Sequence, residues 1–466
     1  MPLLDDSDSR PIHFIGIAGA GMSALAELCR RRGAAVTGCD AHAVTSDDLD
    51  RLGIPVALGH DPAHLDGVRA VVVSSAIPRE LPEVVRAREL GLPVIRRAEA
   101  LAEATAGGDE LIAIAGTAGK TTTTVMTTEA LTAAGRAPTG VAGGRVSAWH
   151  GNLRFGSDRL FVVEADEYDR SFLALTPTVA VVTNIEADHL DIYRDLADIR
   201  DAFATFVRPA KWIILGADDA EANTLPTPSS CEVVRFGTAF GTGSTDARLV
   251  ARDIRVTPVG STFDVVYDRK PLGQVQLQTP GLHNVRNALA AIGVGIAIGV
   301  PLDALAPGLA AFRGVERRFQ RLGEARGAVV VDDYAHHPTK IRATIEAARA
   351  AYPARRLVVA FQPHLFSRTR DFAQAFGEAL AMADVVLLAD IYPAREQPIP
   401  GVTSALIAEQ AARAGRTVAW QGPRSEMARA LAGMVQQGDV VLTVGAGDVT
   451  ETGPELLALL GASGVA

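Results

Sequence analysis

Residues Leu111–Thr124 read LIAIAGTAGKTTTT, an apolar run that ends in a glycine turn, a lysine and four threonines. Leu111, Ile112, Ala113, Ile114 and Ala115 have the pattern of a strand covered on both faces, as in a parallel sheet. Gly116 and Gly119 permit backbone angles closed to other residues and let the main chain approach a ligand. The threonines are expected to open a helix whose first N–H groups point back at the turn. Strand, glycine turn, helix N-terminus and lysine together make a cradle for phosphate. Lys120 then supplies a point charge to the outer phosphates of a nucleoside triphosphate, and the Thr121 hydroxyl is a natural Mg²⁺ ligand. The spacing is a short form, Gly-x-x-Gly-Lys-Thr. The widespread pattern places a glycine five residues before the Gly-Lys pair, where this chain has Ile114. The opposing reading, a chance Gly-Lys-Thr in a surface turn, does not explain the apolar strand before it or the helix after it.

The chain has 466 residues, too many for one core and enough for about three domains of ordinary size. Its composition, 48% hydrophobic and 21% charged, is that of a soluble globular protein. A net charge of −9 without a long basic run argues against nucleic acid or an anionic membrane as main partner. Cys29, Cys39 and Cys231 form no pair with metal or redox spacing, so free thiols in a reducing cytosol are expected. The N-terminal MPLLDDSDSR is acidic and polar, unlike a signal peptide. The most apolar later stretch, Ala290–Ala311, is broken by Pro301, Asp303 and Pro307, which argues against a membrane span.

Upstream of the phosphate loop, Ile12–Ile17 reads as a buried strand and Val36–Cys39 as a second, ending at Asp40. Between them, Gly19-Ala20-Gly21-Met22-Ser23-Ala24 opens an amphipathic helix through Arg32. This is the relaxed dinucleotide fingerprint G-x-G-x-x-A with an acid about 20 residues on, suited to a ribose hydroxyl. Alone it says that a nucleotide-like ligand sits at a helix N-terminus, or only that a tight turn packs helix on strand. Val71–Ala76 is a further strand, with Ser74 and Ser75 placed for ligand contacts. Thr105–Asp109 is a small-residue linker.

Downstream, Arg159–Glu164 is a buried strand with a carboxylate at its end, and Val179–Thr183 leads into Asn184-Ile185-Glu186-Ala187-Asp188-His189-Leu190-Asp191. Parallel strands bring their carboxyl ends to one edge, so Glu164 and His189 are expected to face the phosphate loop. An acid ending an apolar strand is costly unless paired, which points Glu164 to a metal. His189 is open between a ligand and a structural histidine. Asp166, Asp188 and Asp191 read singly as solvated acids. Arg248–Leu277 alternates polar and apolar residues, as at an antiparallel sheet edge. Asn284 and Asn287, three apart before the Ala-rich helix Ala288–Ile298, fall on one face of a first turn, unless Asn284 is only an N-cap. A boundary falls near Arg313–Glu316. Beyond it, Ala328–Val331, Leu357–Phe361, Val385–Ala389 and Val440–Val444 alternate with helices such as Thr339–Tyr352, which predicts another doubly wound sheet. The loops Asp332–Thr339 and Gln362–Arg368 would share one edge, with histidines and an arginine suited to a carboxylate-bearing substrate.

With GIAGAGM, GTAGKTTT, VVEADEYD, TNIEADHLDIY, GLHNVRNALAA, RRF, DDYAHHPT, FQPHLFSRTRD and VGAGD in that order, nearly end to end, the chain resembles the Mur ligases. The resemblance implies an α/β protein of three domains, each a mainly parallel sheet with flanking helices. These are a Rossmann-like uridine-nucleotide-binding domain (1–107), a central P-loop ATPase domain (108–314) and a Rossmann-like amino-acid-binding domain (315–466). It implies a cytoplasmic, ATP- and Mg²⁺-dependent acid–amino-acid ligase of peptidoglycan precursor synthesis, monomer or homodimer, joining L-alanine to the lactyl carboxylate of UDP-N-acetylmuramate. Gly116, Thr117, Ala118, Gly119, Lys120, Thr121 and Thr122 would hold the ATP phosphates, with Asn284, Asn287, Arg318 and Asp333 as further ATP contacts. Thr121 and Glu164 resemble ligands of one Mg²⁺, and His189 a ligand of a second. His336, His364 and Arg368 match positions that place the amino acid; Lys120, His189, His336 and Arg368 form the catalytic set. Gly19, Ala20, Gly21, Met22, Asp40, Ser74 and Ser75 would face the uridine nucleotide. Three positions depart from the family pattern: Ala118 where histidine is frequent, Leu365 where arginine is frequent, and Lys340 where an acid is common.

A carboxylate condenses with an amine only after activation. The expected route is attack of the lactyl carboxylate on the γ-phosphate, then attack of the alanine amine on the acyl phosphate, with closure excluding water. The competing assignments are a ligase that returns a murein tripeptide to the same sugar nucleotide, and an NAD-dependent dehydrogenase using Gly19–Ala24.

Overall fold

A computed structural model describes residues 3–4, 7–41, 47–190, 192–238, 247–394 and 396–462. Asp191 and part of the N-terminal decapeptide lie outside them. Among the described residues the strands form three sheets, and the chain divides into two compact units. One comprises Met1–Ile254, Thr262–Leu277 and Asn284–Val315; the other comprises Arg255–Ser261, Gln278–His283 and Glu316–Ala466. The first two sheets belong mainly to the first unit.

The first sheet is built from β1 (Ile12–Ile15), β2 (Val36–Asp40), β3 (Val56–Leu58), β4 (Ala70–Val73) and β5 (Val94–Arg96), in the order β3-β2-β1-β4-β5. All its pairings are parallel. The order reverses between β1 and β4, so the glycine loop after β1 and the serines after β4 leave the sheet side by side. This is the crevice where doubly wound sheets bind ligands. The strand at Val71 starts at Ala70 and ends at Val73, so Ser74 and Ser75 already belong to the loop.

The second sheet has ten strands: β6 (Glu110–Ala115), β7 (Thr139–Val146), β8 (Gly151–Arg154), β9 (Leu160–Glu164), β10 (Val179–Val182), β11 (Trp212–Gly216), β12 (Glu232–Thr238), β13 (Leu249–Thr257), β14 (Gly260–Tyr267) and β15 (Lys270–Leu277). Its order is β15-β14-β13-β12-β11-β10-β6-β9-β7-β8. β6 lies between β10 and β9 and is parallel to both, with Val182 opposite Ala115 and Glu164 opposite Ile114. Its residues 112–115 are fully buried, which is why the segment carries no alternating polar face. The predicted edge at Arg248–Leu277 is a meander of three strands whose two-residue links, Pro258-Val259 and Asp268-Arg269, suit antiparallel neighbours. Asp268 and Arg269 both have positive φ, the twist a primed hairpin turn requires.

The third sheet contains β16 (Gln320–Ala325), β17 (Ala328–Asp333), β18 (Leu357–Phe361), β19 (Val385–Ala389), β20 (Trp420–Gly422) and β21 (Val440–Val444), ordered β16-β17-β21-β18-β19-β20. Only β16 is antiparallel to its neighbour. β21 separates β17 from β18, so the loops after those two strands flank the Gly445–Asp448 loop. Among the described residues no helix is long and apolar enough to cross a membrane. The three cysteines are free thiols.

Candidate active site

The helix Lys120–Ala133 follows β6 after the turn 116–119. Gly116 has φ 136° and Gly119 φ 87°. A Cβ at Gly116 would lie 2.0 Å from the Thr183 hydroxyl, and one at Gly119 2.6 Å from Asn287 Oδ1. Both glycines are therefore demanded by backbone angle and by close approach. The turn is strapped from the two residues after β10: Ala118 N–H donates to Asn184 Oδ1 at 2.8 Å, and Thr183 Oγ1 donates to the Ala118 carbonyl at 2.6 Å. Ala118 uses main-chain groups here, so a histidine side chain is not needed to shape the loop.

Four successive β-branched residues are poor helix formers. The hydroxyls of three of them find partners instead. Thr124 donates to the Lys120 carbonyl, Thr123 to Asn287 Oδ1 at 3.2 Å, and Thr121 to Glu164 Oε1 at 3.0 Å. Glu164 Oε2 in turn accepts the Gly143 N–H at 2.6 Å. The acid that closes β9 is thus held between a hydroxyl and a backbone amide. A Cβ on Gly143 would sit 2.8 Å from that carboxylate.

Lys120 Nζ donates to the Gly116 carbonyl at 2.8 Å and to both Glu167 oxygens, at 2.9 and 2.6 Å. Burial disfavours its charged form, but Glu167, Asp166 and Glu164 outweigh that, and its pKa ends above the ordinary lysine value. His189 Nε2 lies 3.7 Å from Glu167 Oε1, and its ring meets Tyr168 edge-on at 5.0 Å. The Tyr193 hydroxyl donates to the Glu167 carbonyl at 2.6 Å. Lys120, Thr121, Glu164, Glu167 and His189 therefore surround one sheet edge.

Several readings of the sequence change here. Asp188 is buried, not solvated: its carboxylate accepts the His189 N–H at 2.9 Å, where His189 has φ 57°. Asp166 is part-exposed but lies 3.8 Å from the Arg97 guanidinium. The helix expected at Ala288 begins at Leu282, which puts Asn284 and Asn287 inside it, buried and 3.4 Å apart, so Asn284 is no N-cap. Glu167, Gly143 and Asn184 were not selected from the sequence. Glu167 stands three residues past Glu164 and Asn184 directly after an apolar strand, which were usable signals; Gly143 lies in β7, which no alternation announces.

In the first sheet, Gly19 is the N-cap of the helix Ala20–Arg31. Asp40 Oδ2 accepts the Ala18 N–H at 3.0 Å, so this carboxylate braces the glycine loop. Gly19, Ala20 and Ser75 are exposed, Gly21 and Ser74 half-buried, and the Met22 side chain is turned into the core.

The second unit gathers the other candidates. Asp333, the last residue of β17, accepts from Phe319 N–H at 2.7 Å and Ala335 N–H at 2.8 Å. Burial raises its pKa, against the opposing pull of Arg318. The Arg318 guanidinium lies 5.1 Å from the centre of the Tyr334 ring. The His336 and His364 rings are 6.1 Å apart, and His364 stacks on Tyr392 at 5.8 Å. Arg368 is half-buried in the first turn of the helix Phe366–Leu380. Leu365 is buried with φ 72°, immediately before that helix, its N–H bonded to the Tyr392 carbonyl at 3.0 Å. Lys340 is in the first turn of the helix Pro338–Ala351, and nothing in the structure explains why an acid is replaced there.

Three family models match in chain order: Mur ligase family, catalytic domain, at residues 11–108; Mur ligase middle domain, at 114–295; and Mur ligase, glutamate ligase domain, at 317–447. A UDP-N-acetylmuramate–L-alanine ligase of Streptomyces avermitilis is 45% identical over 98% of both chains. The chain belongs to the Mur ligase family. A second relative of the same name, from Streptomyces coelicolor, is 46% identical, again over 98% of each chain. Among solved Mur ligases, the UDP-N-acetylmuramate–alanine ligase of Thermotoga maritima superposes with a TM-score of 0.83 at 28% identity, covering 97% of this chain and 100% of that one. A murein peptide ligase of Psychrobacter arcticus gives 0.71 at 26% identity, over 97% and 99%.

Proposed function

We propose that this Mur ligase joins L-alanine to the lactyl carboxylate of UDP-N-acetylmuramate at the expense of ATP, in peptidoglycan precursor synthesis. The reading is carried by Lys120, an ammonium held at the mouth of a glycine turn beside Thr121 and Glu164. The names of the full-length relatives favour L-alanine as the amine.

In this reading the loop Gly116–Thr122 binds the ATP phosphates through backbone N–H groups and the helix N-terminus. Lys120 exchanges Glu167 for the γ-phosphate and draws off the charge that develops as the carboxylate attacks in line. A hydroxyl and a carboxylate are the hard oxygen donors that Mg²⁺ takes, so the Thr121–Glu164 pair suits it. Bound there, Mg²⁺ neutralises phosphate charge. The His189 nitrogen is a softer donor; its assignment to a second ion rests on the family resemblance and on the nearby Glu167 oxygen. Asn287 fixes the turn from behind. Arg318 and Asp333 are assigned to ATP, and His336, His364 and Arg368 to the amino acid, whose carboxylate an arginine fork matches. Asp40, Ser74, Ser75 and the Gly19–Met22 loop are assigned to the uridine nucleotide. The acyl phosphate is opened by the alanine amine, giving an amide and phosphate.

The test is phosphate release from ATP, measured with UDP-N-acetylmuramate and each amino acid in turn. Release that requires L-alanine is expected. Release with L-Ala-γ-D-Glu-diaminopimelate in place of L-alanine would assign the recycling reaction, and a nicotinamide absorbance change without ATP would assign a dehydrogenase.

A further inference from the structure

The first sheet carries a cluster that the reaction above does not use. His13 on β1, Cys39 near the end of β2, His64 in the short turn Pro62–Leu65 and Glu83 in the helix Pro82–Glu89 each turn a donor atom to one point, all within 4.8 Å of one another. His13, Cys39 and Glu83 are almost wholly buried, whereas His64 retains a path to solvent. Cys39 Sγ lies 3.3 Å from Glu83 Oε1, and His64 Nδ1 lies 2.8 Å from the same oxygen.

His13 supplies the observation that turns this cluster into a site. Its Nδ1 is 3.0 Å from the Thr37 hydroxyl, its register partner on β2, while Nε2 is buried without a hydrogen-bond partner. An orphaned imidazole nitrogen in a dry interior costs free energy unless something coordinates it. With Nδ1–H donated to Thr37, Nε2 presents a lone pair, the arrangement that fixes metal-binding histidines elsewhere. His60 donates to the other Glu83 oxygen at 2.9 Å and orients it from behind.

We propose that His13, Cys39, His64 and Glu83 bind one Zn²⁺ ion. Two imidazoles, a thiolate and a carboxylate are the borderline donors zinc takes in four-coordinate sites, and Mg²⁺ does not. Tetrahedral bonds set donor separations of roughly 3.3–3.7 Å, so donors that lie within 4.8 Å of one another need only a small adjustment to take the ion. Coordination deprotonates the Cys39 thiol and releases that proton to solvent. The Cys39 carbonyl accepts the N–H groups of Gly16 and Ile17, so the ion clamps the strand end that supports the first glycine loop. Spacing along the chain gives no hint of this; the four residues meet only because β1 and β2 are neighbours and the segments around His64 and Glu83 cover them.

The experiment uses the full chain, stripped with a chelator and titrated with Co²⁺ in excess Mg²⁺, which occupies hard-oxygen sites. One equivalent should give the intense visible bands of tetrahedral cobalt and a near-ultraviolet thiolate-to-metal band, both erased by Zn²⁺. Cys39→Ser should lose the thiolate band and bind at least tenfold more weakly, whereas Cys231→Ser should match the wild type. His64→Gln, at a part-exposed ligand, should weaken binding at least tenfold and remove the zinc-dependent rise in Tm, covering the case that Cys39→Ser does not fold. Absence of the tetrahedral bands, or a thiolate band that survives Cys39→Ser, would overturn the proposal.

Discussion

The Lys120 ammonium and the Glu167 carboxylate lie 2.6 Å apart, with side chains only 13% and 3% exposed. Each ion is tolerable there because of the other. Removing one member of such a pair strands the second, at a cost of about 3–5 kcal/mol. Lys120→Met should therefore lower unfolding free energy in urea by about that amount, and adding Glu167→Gln should restore most of the loss. Additive losses in the double-mutant cycle would mean the two side chains are not coupled.

Lys120→Ala should also abolish acyl-phosphate formation, read as trapping of the activated carboxylate or as ATP-dependent isotope exchange. The expected fall in turnover is about a thousandfold or more, since charge stabilisation at the phosphate is the main catalytic contribution in such transfers. Ordinary turnover in this variant would refute the phosphate-loop assignment.

Gly143 has no side chain because the Glu164 carboxylate occupies the space. Gly143→Ala should push Glu164 off Thr121 and raise the Mg²⁺ concentration for half-maximal activity about 10- to 100-fold, the usual effect of disturbing groups that orient metal ligands. The KM for L-alanine should be unchanged. A shift in the alanine KM with an unaltered Mg²⁺ curve would contradict the placement.

Gly119→Ala meets two obstacles, a φ of 87° and the Asn287 amide oxygen 2.6 Å from the new methyl group. ATP binding measured by calorimetry should fall at least tenfold, consistent with about 1–2 kcal/mol for the left-handed backbone alone.

Asp198 links the helix Leu196–Val207 to the segment after Glu167: Arg170 donates to it at 2.7 Å and the Arg194 N–H at 3.1 Å. The Arg170 hydrogen bond, chiefly, holds its pKa down at about 2. An acid with a depressed folded-state pKa contributes stability above its unfolded value, near 3.9, and loses it as pH falls toward 2. The Tm difference between wild type and Asp198→Asn should be constant above about pH 5 and shrink between about pH 4 and 2. A difference independent of pH would remove Asp198 from the account.

Much of this was legible in the sequence because it is local. A buried strand, a glycine turn and a helix start are contiguous at Ile112–Thr124, and the rule that parallel strands share a carboxyl edge carries Glu164 and His189 to the same place. What was missed depends on contacts between distant segments. Gly143 and β7 carry no apolar alternation to read, and Asn284 looks like a cap until the helix is seen to start at Leu282. Leu365 shows the same limit in the last sheet: a left-handed leucine is chosen by its burial and by the turn before Phe366, neither of which spacing reveals.

The threonine face of the helix behind the phosphate loop has a mechanical consequence. Thr124, Thr128 and Thr132 each donate their hydroxyl to the carbonyl one turn earlier. Side chains that share carbonyls with the backbone in this way let a helix bend slightly. The rod that carries Lys120 thus has compliant rungs along one side.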